Sequence, residues 1–212
     1  MVSVKYKNDF EYIVRNRQIV GLLIRDSHIY RFIDSYELLP SYSNWMQRRD
    51  FIAKAINKDG TILDVGCANG FLIRCLQEWS NHKLVPYGID TDKELIEQAK
   101  RLFPENKDNF AKISIEDISK IDRFGLPKKF DIIYWNVWDN WDFNNANELN
   151  SVKELSKHVK TGGRLIMGFY NKEKSNNLNR VKKLRSVGFK IDGMIVNPIP
   201  KWSEVICWIN IK

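Results

Sequence analysis

The sequence has few of the residues that build metal centres or disulfide frameworks. Its three cysteines, Cys67, Cys75 and Cys207, are odd in number and form no C-x-x-C pair. This pattern predicts reduced thiols, with neither a disulfide framework nor a structural zinc site. The three histidines form no H-E-x-x-H motif and no paired histidine and carboxylate spacing. We therefore expect no metal at the functional site.

Long apolar runs are also scarce. The most apolar stretch near the start, residues 20–24, is too short to span a membrane or to act as a targeting segment. Together with the unpaired cysteines, this favours a cytoplasmic protein with no membrane partner. A length of 212 residues, of which 43% are hydrophobic, suffices for one buried core but would be crowded for two full domains.

Positive charge is concentrated late in the chain. Residues 1–150 contain 21 Lys and Arg against 22 Asp and Glu, whereas residues 151–212 contain 13 against 4. Such asymmetry can indicate an anionic partner, but a solvated loop and helix face at residues 171–190 is the favoured explanation. No aromatic residue interleaves with the basic residues of this stretch before Phe189, so it lacks the stacking platform of a single-strand nucleic-acid binder.

From residue 61 onward, short apolar runs alternate with helical stretches. This alternation predicts an α/β fold with a parallel sheet covered by helices on both faces. Strands are predicted at residues 61–66, 84–90, 110–118, 130–136, 161–170, 190–196 and 204–211, the last two antiparallel to each other. Helices are predicted after the first strand and at residues 91–103, 144–159 and 177–187, and Thr91 with Glu94 forms a capping-box pattern. The first 60 residues have helical spacing only.

A glycine loop follows the first predicted strand, at the position where open parallel sheets bind ligands. The stretch ILDVGCANGFL, residues 62–72, places Gly66 and Gly70 in this loop. A dinucleotide site requires G-x-G-x-x-G, but Phe71 occupies the place of the third glycine, and no G-K-S/T follows as in a P-loop. The loop therefore disfavours NAD, FAD and nucleoside triphosphates.

Residues 64–70, DVGCANG, resemble the D/E-x-G-x-G-x-G motif of class I S-adenosylmethionine-dependent methyltransferases, with Ala68 in place of the middle glycine. The alanine is accommodated if its φ is negative. The resemblance covers residues 60–212 as a catalytic domain. It implies a Rossmann-like three-layer sandwich with a seven-stranded, mostly parallel sheet of order 3-2-1-4-5-7-6, the seventh strand antiparallel. Residues 1–59 are then extra N-terminal helices that form a lid or an edge of the same domain.

The resemblance also implies a site for S-adenosylmethionine, which would leave as S-adenosylhomocysteine. Asp90 would hold the ribose hydroxyls, Asp117 and the Ile118 amide would bind adenine, and Asn136 would contact the methionine amino group. The remaining cofactor residues would be Asp64, Gly66, Cys67, Ala68, Gly70 and Thr91. Each acid also has an ordinary alternative as a cap or a solvated loop residue. Their order along one α/β pattern favours the cofactor site.

The pattern does not identify a catalytic residue. The stretch 135–142 contains three of the seven tryptophans, and in it Trp138 is a candidate for stacking and Asp139 for a general base. Tyr42 is a third candidate, in a possible lid. Packing explains Trp138, and helix capping explains Asp139, equally well. Ordinary helix packing is the favoured explanation for Tyr42. The absence of proline after Asn136 departs from the N/D-P-P-Y/F/W motif of enzymes that methylate amines of nucleic acids, which disfavours DNA as the acceptor.

The main hypothesis from the sequence is a methyltransferase that acts on a small-molecule acceptor. An RNA or ribosome-associated methyltransferase that uses the basic C-terminal third is the first alternative. A non-catalytic module that binds S-adenosylmethionine is the second. A nicotinamide oxidoreductase is disfavoured by Phe71.

Overall fold

A computed structural model describes residues 47–212. The seven strands are β1 (Gly60–Val65), β2 (Leu84–Asp90), β3 (Phe110–Lys112), β4 (Phe130–Asn136), β5 (Val159–Phe169), β6 (Gly193–Val196) and β7 (Val205–Asn210). The α-helices are α1 (Phe71–Trp79), α2 (Lys93–Leu102), α3 (Ala146–Lys157) and α4 (Lys174–Ser186). Short 3₁₀ helices occupy Asp50–Ala55, Pro104–Asn109 and Ile115–Phe124.

The strands form one sheet in the order β3-β2-β1-β4-β5-β7-β6. The first five strands pair in parallel, and β7 is antiparallel to both β5 and β6. This confirms the predicted Rossmann-like sheet. Because β1 and β4 are central and buried on both faces, they are almost continuously apolar, as the sequence indicated.

Side-chain alternation along β1 divides the core into two layers. Leu63 and Val65 face the layer that contains α3, α4 and the 3₁₀ helix Ile115–Phe124. Ile62 faces the other layer, with α1, α2 and the 3₁₀ helix Asp50–Ala55. Asp64 shares the face of Ile62 because strand residues two apart point the same way, so a carboxyl group enters an otherwise apolar layer.

The third strand is shorter than predicted. It pairs with β2 only from Phe110 to Lys112 and ends where β2 itself ends at Asp90. The predicted strand over residues 110–118 was wrong in its second half, which forms the 3₁₀ helix that starts at Ile115. Ser114 occupies the N-cap position of that helix, and Glu116 and Asp117 lie in its first turn.

The predicted capping role of Thr91 was also wrong. Asp92 is the N-cap of α2, and its carboxylate accepts hydrogen bonds from the amides of Glu94 and Leu95, at 2.8 and 3.3 Å. The predicted N-terminal helices lie mostly outside the described residues, which begin at residue 47. Between residues 47 and 212, no helix has both the length and the apolar composition needed to cross a membrane.

Candidate active site

A cavity of about 260 Å³ opens at the carboxyl ends of β1, β2 and β4. Parallel α/β sheets bind ligands at this edge, outside the strand ends. Its walls are formed by Val65, Gly66, Ile89, Asp90, Thr91, Asp92, Leu95, Ile113, Ile115, Trp135, Asn136 and Trp138. The structure thus brings together four residues predicted for the cofactor site: Gly66, Asp90, Thr91 and Asn136.

The two glycines of the loop have different structural roles. Gly66 lines the cavity with a φ of +77°, and a Cβ added there would meet no atom of the described residues within 4 Å, so its missing side chain keeps ligand space open. Gly70 also has a positive φ, but a Cβ there would lie 2.9 Å from Cε2 of Phe103. Gly70 therefore allows the start of α1 to approach the end of α2 closely.

Ala68, at the place of the middle glycine, has a φ of +47°. The condition under which the sequence would accommodate alanine here, a negative φ, is not met, because the loop turns in the left-handed region at this residue. That conformation orients the Ala68 amide, which donates a hydrogen bond of 2.9 Å to Oδ2 of Asp90. The positive φ is unfavourable for alanine, but it accompanies a hydrogen bond that joins the loop to the end of β2.

The Asp90 carboxylate is fixed by main-chain donors. Its Oδ1 accepts from the Asp92 amide at 2.9 Å, and its Oδ2 accepts from the Ala68 amide. Each carboxylate oxygen has two lone pairs, so both oxygens still have an acceptor direction available. Since Asp90 lines the cavity, it presents an oriented pair of acceptors to a ligand that carries two neighbouring hydroxyl groups.

Asp64 is a buried carboxyl group whose Oδ1 has no hydrogen-bond partner among residues 47–212. Burial, with a smaller contribution from the negative charge of Asp90, raises the pKa of Asp64 to about 8. The next two residues in the chain, Val65 and Gly66, line the cavity, so Asp64 directly precedes the cavity lining in β1. An unpaired buried acid is costly, so this position favours a ligand that brings positive charge or a donor.

The far wall of the cavity is apolar. Leu95, Ile113 and Ile115 form a slot suited to a flat ring. Asp117 and Ile118, the residues predicted to bind adenine, do not line this cavity: Asp117 pairs with Lys120 at 2.8 Å, and Ile118 is buried in the core. The N-cap pattern at Ser114, followed by Glu116 and Asp117, is the sequence signal that marks the earlier end of β3.

Cys67 also lies away from the cavity walls. Its side chain is buried, and burial raises the pKa of its thiol well above the usual value. A Cβ added at Gly88 would lie 2.7 Å from its sulfur, so the thiol packs closely against β2. Cys67 is thus a packing residue with an unreactive thiol.

Three tryptophans lie at the end of β4. Trp141 contacts Trp135 and Trp138 edge-to-face, at centroid distances of 5.3 and 5.5 Å. Trp135 is buried, whereas Trp138 is 45% exposed at the mouth of the cavity. The cluster therefore holds one indole face open beside the site.

A second, more open cavity of about 500 Å³ lies between the loop after β4 and α4. Candidate base Asp139 lines this cavity, where its carboxylate pairs with Arg180 at 3.4 Å and its carbonyl accepts another bond from the same guanidinium. Asp139 and Trp138, adjacent in the chain, therefore line different cavities. Candidate Tyr42 lies outside the described residues.

Sequence reasoning missed seven residues of the first cavity: Val65, Ile89, Asp92, Leu95, Ile113, Ile115 and Trp135. Most are apolar residues near strand ends and are indistinguishable by type from core residues. It also missed Arg180, which is buried and reaches the β4 loop from 41 positions later in the chain. Within residues 47–212, no cluster of three His, Cys, Asp or Glu side chains could hold a metal ion.

Residues 56–203 match the protein family described as a methyltransferase domain. No curated protein matches the sequence. Several solved structures share the fold. A SAM-dependent methyltransferase from Aquifex aeolicus has a TM-score of 0.56 and 16% identity, over 84% of this chain and 96% of the other.

A TehB-like SAM-dependent methyltransferase from Corynebacterium glutamicum gives a TM-score of 0.57 at 18% identity, over 86% of this chain and 97% of the other. Fibrillarin from Aeropyrum pernix, solved with natively bound S-adenosyl-L-methionine, gives 0.54 at 14% identity, over 77% of this chain and 76% of the other. At these identities the likeness concerns the fold.

Proposed function

The chain belongs to the methyltransferase-domain family, and from this premise we propose that it transfers the methyl group of S-adenosylmethionine to a small-molecule acceptor. It is an S-adenosylmethionine-dependent methyltransferase of the Rossmann-like class. The acceptor is the new element of the proposal. The observation that carries it is the exposed face of Trp138 at the mouth of the first cavity, beside a second, polar cavity.

The residues of the first cavity fit the cofactor. Asp90 offers two oriented acceptors for ribose hydroxyls, and the apolar slot around Ile113 and Ile115 suits adenine. Gly66 leaves its side of the cavity open. The unpartnered carboxyl of Asp64 suits the positive charges of the methionine portion. Asn136, at the end of β4, would contact the amino group of that portion.

When bound, the cofactor supplies a methyl group activated by its positively charged sulfur. Methyl transfer is an in-line displacement, so the main task of the protein is to position the acceptor and exclude water. Trp138 is placed to stack on an acceptor, and its indole face can stabilise nearby positive charge. Arg180 holds Asp139 in the second cavity. In this position Asp139 is better suited to orienting an acceptor than to removing a proton in the first cavity.

The size and lining of the two cavities support a small acceptor. Trp138 lines the first and Asp139, the next residue in the chain, lines the second, so an acceptor that extends past this pair of residues would reach both. Of the three tryptophans of the cluster, Trp138 alone is largely exposed, whereas single-strand nucleic-acid sites stack successive bases on several aromatic residues.

An RNA acceptor is the second candidate, and α4 favours it. Four basic side chains of this helix, Lys174, Lys182, Lys183 and Arg185, form no ion pair with the other residues between 47 and 212. A helix that carries unpaired positive charge beside a methyl-transfer site suits a phosphate backbone. RNA binding through this helix would weaken steeply as the salt concentration rises.

The experiment that tests the proposal has two steps. Calorimetric titration with S-adenosylmethionine first establishes cofactor binding by the full chain. Release of S-adenosylhomocysteine is then measured with the small-molecule filtrate of a cell extract and, separately, with RNA purified from that extract. Product with the filtrate alone supports the proposal, and product with RNA alone supports the second candidate. Binding without product from either fraction would indicate a non-catalytic module.

A pair of variants links turnover to the proposed site. Trp138→Ala should lower turnover with the filtrate at least tenfold while cofactor affinity changes little. Phe124→Ala is the matched control, because Phe124 is 48% exposed and does not line either cavity. Equal activity of both variants would contradict a role for Trp138 in acceptor binding.

A further inference from the structure

The second cavity is lined entirely by polar and charged side chains. Five are asparagines, and the others are two aspartates, one arginine and one lysine: Asp139, Asn140, Asp142, Asn144, Asn171, Asn176, Asn179, Arg180 and Lys183. Small-molecule sites are usually mostly apolar with a few polar groups. A cavity with this lining is therefore suited to a ligand that is itself polar.

Both carboxylates of the cavity are already engaged by the protein. Asp139 pairs with Arg180, whose guanidinium also donates to the Asp139 carbonyl. Asp142 accepts from the amide and the side chain of Asn144, at 2.9 and 2.6 Å, and these bonds lower the pKa of its carboxyl group. Both carboxylates therefore have partners in the protein, an arginine for Asp139 and two N–H donors for Asp142.

Lys183 is the second basic residue of the cavity, and among the described residues it lacks the carboxylate partner that Arg180 has. Lys183 lies one helical turn after Arg180 on α4, and its ammonium forms no ion pair within 4.0 Å among residues 47–212. It is near enough to Asp142 to contribute a minor lowering of the pKa of that carboxyl, but the two do not form a salt bridge.

Two asparagines of the lining can add amide donors: Asn179, one turn before Lys183 on α4, and Asn140, in the loop after β4. The side chains of Asn140 and Asn179 have no hydrogen-bond partner in the described part of the chain, unlike Asn171 and Asn176, which bond to each other at 3.1 Å. Each free carboxamide offers two N–H groups. A flexible ammonium with neighbouring amide donors is a suitable arrangement for a small oxyanion.

We propose that the second cavity binds an anionic group of the methyl acceptor, a carboxylate or a phosphate, through Lys183 with Asn140 and Asn179. This inference rests on the proposed function, because it assigns the substrate class of that enzyme. The anionic end of the acceptor occupies the second cavity, and the end that receives the methyl group reaches past Trp138 to the first. The two cavities therefore bind opposite ends of one molecule.

The test uses the full chain labelled with ¹⁵N, and the probes are sodium acetate and inorganic phosphate at constant ionic strength. Saturable shifts of the Asn140 and Asn179 side-chain amide signals are expected with at least one probe. Acetate alone would indicate a carboxylate acceptor, and phosphate alone a phosphorylated one. No saturable shift with either probe would overturn the proposal.

Two lysine variants make the test specific. Lys183→Met should weaken the apparent affinity for the probe at least tenfold. Lys182→Met removes the same charge from the next position of α4, which is exposed and lies outside the cavity, and should change affinity less than twofold. Equal weakening by both variants would mean a diffuse basic surface and would overturn the proposal. Asn179→Ala, at an exposed position, provides a second variant if Lys183→Met is unstable.

S-adenosylmethionine titration of each variant separates the two proposals. Normal cofactor binding without an anion response would refute this inference alone and leave the methyl-transfer proposal intact. Absence of cofactor binding by the unmodified chain would refute the proposed function. Saturable shifts with an RNA oligonucleotide, but with neither small anion, would contradict a small anionic acceptor and support the basic helix as an RNA surface.

Discussion

The Asp90 carboxylate accepts a 2.9 Å hydrogen bond from the amide of Ala68, a residue whose φ is +47°. An L-residue with a side chain pays a conformational cost in this region, which is about 1–2 kcal/mol for left-handed backbone. The bond joins the glycine loop to the acid at the end of β2. The geometry of the site is therefore maintained against a local backbone preference.

Ala68→Gly should increase stability by about 1 kcal/mol, because glycine adopts a positive φ without this cost. Urea unfolding monitored by circular dichroism measures the change. Gly70→Ala should do the opposite, since it adds a side chain at a φ of +75° and 2.9 Å from the ring of Phe103. A destabilised Ala68→Gly variant would show that the loop has a different backbone.

Asp90→Ala should weaken S-adenosylmethionine binding by about 1.5–3 kcal/mol, the usual value of hydrogen bonds to a charged group. Calorimetry of the folded variant measures this loss. Asp131→Ala is a control for removing a carboxylate, because Asp131 lies at the start of β4 and bonds to Thr61, away from the cavity. Unchanged affinity in Asp90→Ala would exclude Asp90 as the ribose ligand.

Asp117→Ala should leave cofactor affinity within about twofold, because Asp117 pairs with Lys120 outside the cavity. Ile115→Ala should weaken binding by about 1–2 kcal/mol, since each buried methylene contributes about 0.8 kcal/mol. The same calorimetric titration measures both. Strong weakening by Asp117→Ala would instead restore the adenine contact predicted from sequence.

The raised pKa of the Asp64 carboxyl group should make the stability of the protein depend on pH. Its folded-state pKa is about 8, above its value in the unfolded chain, so between these values the folded state holds a proton that the unfolded state has released. Stability relative to Asp64→Asn should therefore fall as pH rises from about 5 to 8, by at most about 1.4 kcal/mol per unit, and level off above.

Urea unfolding of the cofactor-free protein and of Asp64→Asn across this range makes the comparison. The other titrating groups contribute equally to both proteins and cancel in the difference. A difference that does not change with pH would mean that Asp64 is ionised in the folded protein and has found a partner.

Glu204→Gln should lower stability by about 3–5 kcal/mol, the usual cost of breaking a buried ion pair. Glu204 is fully buried, and Arg48 donates to it through Nε at 2.7 Å and through a second guanidinium nitrogen. Asp117→Asn, which breaks an exposed pair with Lys120, should cost less than about 1 kcal/mol. Thermal unfolding compares the two, and similar losses would contradict a structural role for the buried pair.

The sheet and the glycine loop could be predicted from sequence because they depend on local patterns. Buried strands are apolar runs, and the spacing of Asp64, Gly66 and Gly70 can be seen directly in the order of the residues. The end of β3 was misjudged because apolar residues at 110, 113 and 115 continue past the point where β2 offers a partner. The number of paired residues in β3 depends on where the neighbouring strand ends. The local sequence of β3 carries no information about that end.

The second cavity could not be predicted for a related reason. It forms where α4 packs beside the loop after β4, and the bond between Arg180 and Asp139 joins residues 41 positions apart. In sequence, Lys183 is one of many basic residues of the C-terminal third. Only its place on the helix distinguishes it from Lys182.

The sheet order also constrains how the protein is assembled. Strand β6 precedes β7 in the chain, yet it joins the sheet only through β7, which lies between β6 and β5. Before β7 is in place, β5 presents an open edge of unpaired backbone groups, and such edges recruit strands from other molecules. In a chain where β7 has not yet paired, β6 therefore has no strand of the sheet to join, and the exposed edge of β5 is a site for misassembly.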